Sequence, residues 1–237
     1  MRVLEQLEPQ GVFRFFEELC AIPHGSRNTK AVSDWCADFA RARGLEYHQD
    51  GDNNIIIIKE AAPGYEAAPP VILQGHLDMV CEQTADCQKD MSREGLDLAV
   101  DGDFVYAKGT TLGGDDGIAV AMALALLDAE GLPHPRLEAV FTVDEEIGLL
   151  GAASIDVTPL KGRQMLNLDS EAEGIFTVSC AGGNTSACLL PLTRAPFDGA
   201  GVTVAVGGLT GGHSGAEIHK GRANANVLMG RILRAAA

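Results

Sequence analysis

The chain has 237 residues, of which 46% are apolar and 22% are charged, so it can bury one sizeable core and a smaller one. Its formal net charge of -15 disfavours nucleic acid and anionic membrane surfaces as partners. No run of about 18 apolar residues is present, which argues against a membrane-spanning helix.

Two amphipathic helices and two short strands are predicted in the first third of the chain. Apolar residues in 11–20 recur at helical spacing, and a second helix over 29–43 would end at Gly44, a residue suited to a helix C-cap. The apolar, β-branched runs 54–59 and 70–74 are typical of buried strands. The second run leads directly into a Gly-His-Leu-Asp sequence.

Helix and strand patterns continue to alternate in the middle of the chain. A glycine-rich loop over 109–117 precedes an alanine- and leucine-rich helix over 118–127, which we expect to be buried because it is apolar nearly all round. Segments 137–143 and 164–168 have strand patterns. The alternation predicts an α/β fold with a mainly parallel mixed sheet and flanking helices.

The composition changes in the last quarter of the chain. Segments 187–192 and 202–206 alternate like strands, and 222–234 is typical of a helix. We therefore predict one large domain over 1–183 and the first part of a smaller α+β domain over 184–237.

The amino-terminal residues and the cysteines suggest a cellular compartment. The first residues contain no apolar segment of the kind found in secretory signals. The six cysteines are scattered without a Cys-x-x-Cys pair, which suggests reduced thiols rather than a disulfide framework or a zinc ribbon. We expect a soluble, cytoplasmic protein.

Four polar clusters end an apolar run or lie beside a glycine. They are His76-Leu77-Asp78, Asp115-Asp116, Asp144-Glu145-Glu146 and Asp169-Ser170-Glu171. Buried carboxylates are costly to desolvate unless a cation meets them, and no lysine or arginine lies within these clusters. Ligands of α/β sheets bind beyond the carboxyl ends of the strands, so the clusters can converge around a metal ion.

Each cluster alone also has a purely structural explanation. His76 could be a hydrogen-bonded structural histidine, Asp115 or Asp116 could cap a helix, and the acidic triplet could be a solvated first turn. The combination favours metal binding. Asp78 lies two residues after His76 on an extended backbone and could orient its ring.

The types of residue also restrict the metal. Nitrogen and oxygen ligands without thiolate suit two divalent ions, most simply zinc, with manganese or cobalt as alternatives. Ions about 3.5 to 4 Å apart need a ligand that reaches both, and Asp115 is our choice for this bridge. Adjacent Glu145 and Glu146 can divide their roles, one binding metal and the other acting as a base.

The clusters lie in four segments that resemble motifs of the dinuclear zinc peptidases of the aminoacylase and carboxypeptidase superfamily. The segments are 73–80, 109–118, 141–146 and 166–171, and the similarity extends from about Ile22 to the last residues. The branch that the chain resembles most is the aminoacyl-histidine dipeptidases, also called Xaa-His or β-alanyl-histidine dipeptidases.

The resemblance implies a role for each residue and a cis peptide bond between Asp115 and Asp116. His76 and Asp169 would bind one metal, Asp115 would bridge, Glu146 would bind the second metal, Glu145 would be the general base, and Asp78 would support His76. His213, in a Gly-Gly-His-Ser-Gly motif of the lid domain, would polarise the substrate carbonyl or steady the oxyanion. Asp116, Asp144 and Glu171 would be neighbours of the site.

This sequence departs from the family pattern at three positions and in length. The branch commonly has alanine, asparagine and threonine where Gly114, Asp116 and Ile147 stand. Family members continue further, complete the lid and return to the first domain with one more metal-binding histidine. We therefore expect this chain to be catalytically impaired by itself.

The expected activity is hydrolysis of short peptides, with Xaa-His dipeptides as candidates and a possible homodimer through the complete lid. An enzyme of the same superfamily that acts on tripeptides or N-acyl amino acids is the first alternative. A non-catalytic fragment or binding protein that keeps the fold is the second.

Overall fold

The computed structural model describes residues 2–170, 173–179, 184, 186–196, 198–212 and 217–236. The chain divides into two compact units, residues 1–180 and 181–237. None of the helices in these described ranges is long and apolar enough to cross a membrane.

The first unit is built on a five-stranded mixed sheet with a separate hairpin. Its strands are β1 (Glu46–Gln49), β2 (Ile55–Lys59), β3 (Val71–His76), β4 (Leu98–Asp101), β5 (Phe104–Ala107), β6 (Leu137–Thr142) and β7 (Gln164–Asn167). The sheet order is β1-β2-β6-β3-β7, and β4 pairs with β5 alone. The central strands β6, β3 and β7 are parallel, whereas β1 and β2 are antiparallel to their neighbours.

The parallel strands bring the polar clusters to one edge of the sheet. His76 is in register with Thr142 across β3 and β6, and Gln74 is in register with Asn167 across β3 and β7. Because parallel strands end at the same edge, the segments that follow β6 and β7 begin beside the end of β3.

Helices cover one face of the sheet. They are α1 (Gln10–Cys20), α2 (Lys30–Ala42) and α3 (Gly114–Asp128), and a short α4 (Leu150–Ser154) follows β6. The main core contains Phe15 and Leu19 of α1, Leu124 of α3 and Ile57 of β2. Because neighbouring strand residues point to opposite faces, Ile56 belongs to a smaller apolar cluster on the other face.

The structure confirms the predicted α/β fold with a mixed sheet. The helices predicted over 11–20, 29–43 and 118–127 are α1, α2 and the body of α3. Helix α3 is buried along most of its length, with Met122 and Leu126 forming an exposed line. Strands β1, β4 and β5 and helix α4 were not predicted.

The second unit contains less regular structure than the sequence suggested. A 3-10 turn covers Ile218–Lys220, and α5 covers Ala225–Ala236, where a helix was predicted over 222–234. The strands predicted over 187–192 and 202–206 are wrong, because neither segment pairs with a strand in the described part of the chain. Their apolar side chains are largely exposed, and alternation forms a stable strand only when pairing and burial support it. The assignment of the two units as a catalytic domain and a lid stays a prediction.

Candidate metal centre

The ring of His76, at the end of β3, faces acidic side chains from two other elements. Its Nε2 atom is 3.1 Å from Oδ1 of Asp115 and 4.0 Å from Oε2 of Glu145. One candidate ligand atom each from His76, Asp115 and Glu146 lie within 4.8 Å of one another, so this trio could hold a metal ion. The structure therefore brings together three of the four residues predicted as ligands.

A glycine turn places Asp115 opposite His76. Gly113 precedes α3 with φ of 68°, and a Cβ atom there would lie 2.8 Å from Sδ of Met79. Asp115 and Asp116 have non-helical backbone angles, and the peptide bond between them is cis, as the resemblance implied. This local geometry turns Asp115 towards the end of β3.

Asp116 is a buried partner of the β3 backbone rather than only a neighbour of the site. Its Oδ2 atom accepts a 3.2 Å hydrogen bond from the backbone N–H of His76, and the residue is 2% exposed. A Cβ atom at position 75 would lie 2.6 Å from this oxygen, so Gly75 permits the contact. Asp116 thereby fixes the start of α3 against the strand that carries His76.

Asp78 connects the end of β3 with the segment that carries both glutamates. Its Oδ1 atom accepts a 3.0 Å hydrogen bond from the N–H of Glu145, and Oδ2 accepts one of 3.3 Å from the N–H of Glu146. The hydroxyl of Ser26 also donates to Oδ2, at 2.8 Å. Burial by itself raises the pKa of Asp78, but its hydrogen-bond donors hold this pKa below its usual range.

The other ring nitrogen of His76 is held by Asp78, mainly through the main chain. Nδ1 donates to the Asp78 carbonyl oxygen at 2.9 Å, while Oδ1 of the Asp78 carboxylate is 3.5 Å away. With the proton on Nδ1, the lone pair of Nε2 points towards Asp115, as a metal ligand requires.

The charges around His76 fit a divalent cation. Burial lowers the pKa of His76, but the hydrogen bond to Asp78 and the negative charges of Asp116, Asp78 and Asp115 raise it to about 10. Burial raises the pKa of Asp116 to about 7 and also raises the pKa of Glu145 and of Glu146. Among the described residues, His76 is the only cationic ion-pair partner of Asp115 and of Glu145. A metal ion would supply the positive charge that these desolvated oxygens require.

Asp169 follows β7 and lies beside the trio without belonging to it. Its negative charge contributes to the raised pKa of Asp116 and of Glu145. Asp169 and Glu145 also line a common cavity of about 270 Å³ on the sheet. Its predicted role as a metal ligand stays a prediction.

Two predicted site residues, His213 and Glu171, lie outside the described residues. Two residues that hold the site in place, Asn54 and Ser26, were not predicted from the sequence. Oδ1 of Asn54 accepts a 3.1 Å hydrogen bond from the N–H of Val143, directly after β6, and its Nδ2 donates to the carbonyl of Gly151 at 3.2 Å. The second of these residues is Ser26, in the loop between α1 and α2. No sequence pattern indicated its hydrogen bond to Asp78, because the two residues are far apart along the chain.

The loop that contains Ser26 also reaches the acidic triplet. The N–H of Arg27 donates a 2.6 Å hydrogen bond to Oδ1 of Asp144, and the carbonyl of His24 accepts one of 3.2 Å from Met79. Asp144 is thus an anchor for this loop, and the loop contacts the ends of both β3 and β6.

Comparison with known proteins gives the same assignment as the motifs. The profile of Peptidase family M20/M25/M40 matches residues 72–188. The cytosol non-specific dipeptidase of Escherichia coli (strain K12) is 40% identical, and the alignment covers 98% of this chain and 48% of that protein.

Solved structures are similar as well. The crystal structure of aminoacylhistidine dipeptidase from Vibrio alginolyticus matches with a TM-score of 0.72 and 33% identity, over 97% of this chain and 47% of that one. A tripeptidase from Staphylococcus aureus matches with a TM-score of 0.58 and 23% identity, over 69% of this chain and 44% of that one, and shows a shared fold only.

The chain thus spans about half the length of the relatives that it matches. The segments 73–80, 109–118, 141–146 and 166–171 lie within the aligned region, and the family profile includes the clusters at His76, Asp115, Glu145 and Asp169. The resemblance inferred from the motifs is therefore confirmed, and the chain belongs to Peptidase family M20/M25/M40.

Proposed function

We propose that this chain is part of a metal-dependent dipeptidase that hydrolyses short peptides. The observation that carries the proposal is the convergence of ligand atoms from His76, Asp115 and Glu146 within 4.8 Å at the carboxyl edge of the sheet. The names of the Escherichia coli and Vibrio alginolyticus relatives, both dipeptidases, support the substrate class.

The proposed cofactor is a pair of divalent ions, most simply zinc, with manganese or cobalt as alternatives. In this proposal His76 and Asp169 bind one ion, Glu146 binds the other, and Asp115 bridges them. A bound divalent cation would lower the pKa of a water molecule and polarise the substrate carbonyl.

The proposed general base is Glu145. Its backbone N–H is fixed by Asp78 at 3.0 Å, while its side chain extends towards His76, so the carboxylate faces the trio without joining it. Burial raises the pKa of Glu145, which makes its carboxylate a better proton acceptor than an exposed glutamate. His213, which would polarise the carbonyl, enters the proposal through the resemblance alone.

Substrate preference, location and assembly are further parts of the proposal. A preference for Xaa-His dipeptides and a homodimer through the lid rest on the resemblance, and a cytoplasmic location rests on the printed name of the Escherichia coli relative. Cell fractionation would test the location, and sedimentation equilibrium would test the dimer.

The proposal is tested by metal content and by substrate comparison. Purified protein incubated with zinc or manganese and then desalted should retain the ion, as measured by atomic emission. Hydrolysis of β-alanyl-histidine should exceed that of a tripeptide and of an acetylated amino acid. Protein that retains no divalent ion would contradict the proposal, and faster hydrolysis of either other substrate would replace the dipeptidase assignment.

A further inference from the structure

A cavity of about 440 Å³ lies beside Glu146 and shares no lining residue with the cavity of about 270 Å³ that Glu145 and Asp169 line. Three short stretches of chain line the larger cavity together with Glu146 and its neighbour Ile147: Gly25, Ser26 and Asn28, then residues 79–82, then Met91 and Ser92. The volume is within the range of pockets that bind small molecules. Glu146 belongs to both the cavity and the metal trio, so the cavity adjoins the candidate metal centre.

The floor of this cavity is apolar and adaptable. Met79 and Met91 are almost fully buried and line it together with Val80. A Cβ atom at Gly25 would lie 2.6 Å from Sγ of Cys81, so the glycine lets the thiol pack against the loop. Methionine side chains adjust to apolar groups of different shape. This surface therefore suits an apolar side chain of variable size.

The charge of the cavity is negative. Glu82 and Glu146 contribute to its lining, and neither lysine nor arginine is among the lining residues. Glu82 is close enough to Cys81 for its charge to add to the effect of burial and raise the pKa of that thiol. A group with a positive charge is favoured here, whereas a carboxylate would be repelled.

In a dipeptide, the positive charge that this cavity favours lies on the amino-terminal residue, which has the ammonium group. The carboxylate, which the cavity would repel, lies on the carboxy-terminal residue. The second cavity at the site, of about 270 Å³, is also mainly apolar. Its carboxylates, Glu145 and Asp169, both have proposed roles in catalysis or metal binding. Only the larger of the two cavities therefore offers an acidic group, Glu82, that is outside those roles.

We propose that the cavity between Gly25, Met79 and Met91 binds the amino-terminal residue of the substrate, with an apolar side chain against the methionines and the ammonium group near Glu82. This inference rests on the proposed peptidase function, because Glu146 fixes the cavity beside the scissile bond only if it binds metal. The preferred substrates are then dipeptides with a large apolar amino-terminal residue.

The first experiment compares Leu-Gly, Gly-Leu and Gly-Gly as substrates of wild type and Met91→Ala. The variant should lower kcat/KM for Leu-Gly about tenfold relative to Gly-Gly and leave the ratio of Gly-Leu to Gly-Gly unchanged, because only one subsite loses contact. Met165→Ala, in the other cavity, is the matched control and should change neither ratio. A change with Met165→Ala instead, or a change for Gly-Leu alone, would overturn the proposal.

A second variant is included because Met91 is buried, so its replacement by alanine can lower activity by destabilising the fold. Val80 is 45% exposed and lines the cavity, so Val80→Lys should fold normally while placing a positive charge inside the cavity that receives the ammonium group. It should lower kcat/KM for Leu-Gly at least tenfold. Unchanged hydrolysis of Leu-Gly by folded Val80→Lys would overturn the proposal.

The third measurement needs no catalysis and uses the 237-residue chain. Burial and the charge of Glu82 raise the pKa of the Cys81 thiol, so alkylation by N-ethylmaleimide is followed at mildly alkaline pH by mass spectrometry. Leu-Gly should slow labelling of Cys81 at least threefold, whereas Gly-Leu should not, and exposed Cys188 is the internal control. Protection of Cys81 in protein that retains neither zinc nor manganese would support the cavity and contradict the metal-dependent function. Retention of the ion without protection of Cys81 would contradict the cavity alone, and the absence of both would overturn both.

Discussion

The hydroxyl of Ser26 donates a 2.8 Å hydrogen bond to Oδ2 of Asp78. The same carboxylate receives the backbone N–H groups of Glu145 and Glu146, so one buried side chain joins the α1–α2 loop, the end of β3 and the segment after β6. A substitution of Ser26 therefore affects the backbone that carries Glu146, a proposed ligand, through Asp78 and without a direct contact.

Replacing Ser26 by alanine should weaken zinc binding. The lost hydrogen bond to a buried carboxylate is worth about 1.5 kcal/mol, and even part of this would lower zinc affinity severalfold if Asp78 relaxes in the metal-free protein. Competition with a chromophoric chelator measures the zinc dissociation constant. Ser92→Ala is the matched control, because Ser92 lines the same cavity of about 440 Å³ as Ser26, but among the described residues its hydroxyl bonds to Asp90 alone. Equal zinc affinity in both variants would show that Ser26 does not support the site.

The two adjacent glutamates should respond differently to the same change. In the complete dipeptidase of which this chain is proposed to be part, Glu145→Gln should lower kcat by about 10² to 10⁴ with near wild-type metal content, since a proton acceptor is lost and the trio is intact. Glu146→Gln should lower the metal content itself, because its carboxylate oxygen belongs to the trio. Atomic emission on desalted protein and initial-rate kinetics measure both effects. The opposite pattern would mean that the two roles are reversed.

The sequence was sufficient for the elements that are buried or strongly periodic. The apolar run of β6 and the continuous apolar helix α3 had clear patterns because tertiary contacts cover nearly every face of them. Strand β1 has the sequence Glu-Tyr-His-Gln and alternates between exposed and half-buried residues, so it carried no comparable signal. Segment 187–192 had the alternation of a strand but lacks a pairing partner in the described part of the chain.

The candidate site was predictable in outline for a similar reason. The rule that ligands lie beyond the carboxyl ends of parallel strands anticipated the approach of His76 to Glu146. It could not anticipate that Asp78 would bind the Glu145 backbone, because such a contact depends on the path of loops after the strands. The hydrogen bonds from Asn54 to the backbone of Val143 and Gly151 could not be predicted for the same reason.

Gly151 should be among the least replaceable residues near the site. A Cβ atom there would lie 2.3 Å from Oδ1 of Asn54 and 2.4 Å from the carbonyl oxygen of Val143. Gly151→Ala should therefore lower the free energy of unfolding by about 1 to 3 kcal/mol, measured in urea. Gly51→Ala is the control, since an added Cβ at Gly51 meets no atom within 4 Å. A stability loss in both variants alike would mean that the contact with Asn54 is not the cause.

The buried pair of Arg136 and Glu138 should make the stability of the first unit depend on pH. Oε1 of Glu138 accepts a 2.7 Å hydrogen bond from Nε of Arg136, and the carboxylate also accepts from the N–H groups of Lys161 and Gly162, both at 2.9 Å. Burial by itself raises the pKa of Glu138, but these donors lower it below its usual value. Because the pKa is lower in the folded than in the unfolded protein, the stabilisation is present above the unfolded value of about 4.3 and is lost as the pH falls through the folded value.

Glu138→Gln should therefore lower the free energy of unfolding by about 2 kcal/mol at pH 7, with a smaller difference from wild type near pH 3. Urea unfolding of both proteins across this pH range measures the effect. Glu60→Gln is the matched control, because Glu60 also pairs with Arg136 but its side chain is 72% exposed, so solvent screens the interaction. A stability difference for Glu138→Gln that stays constant down to pH 3 would show that packing, and not the charge of Glu138, accounts for the loss.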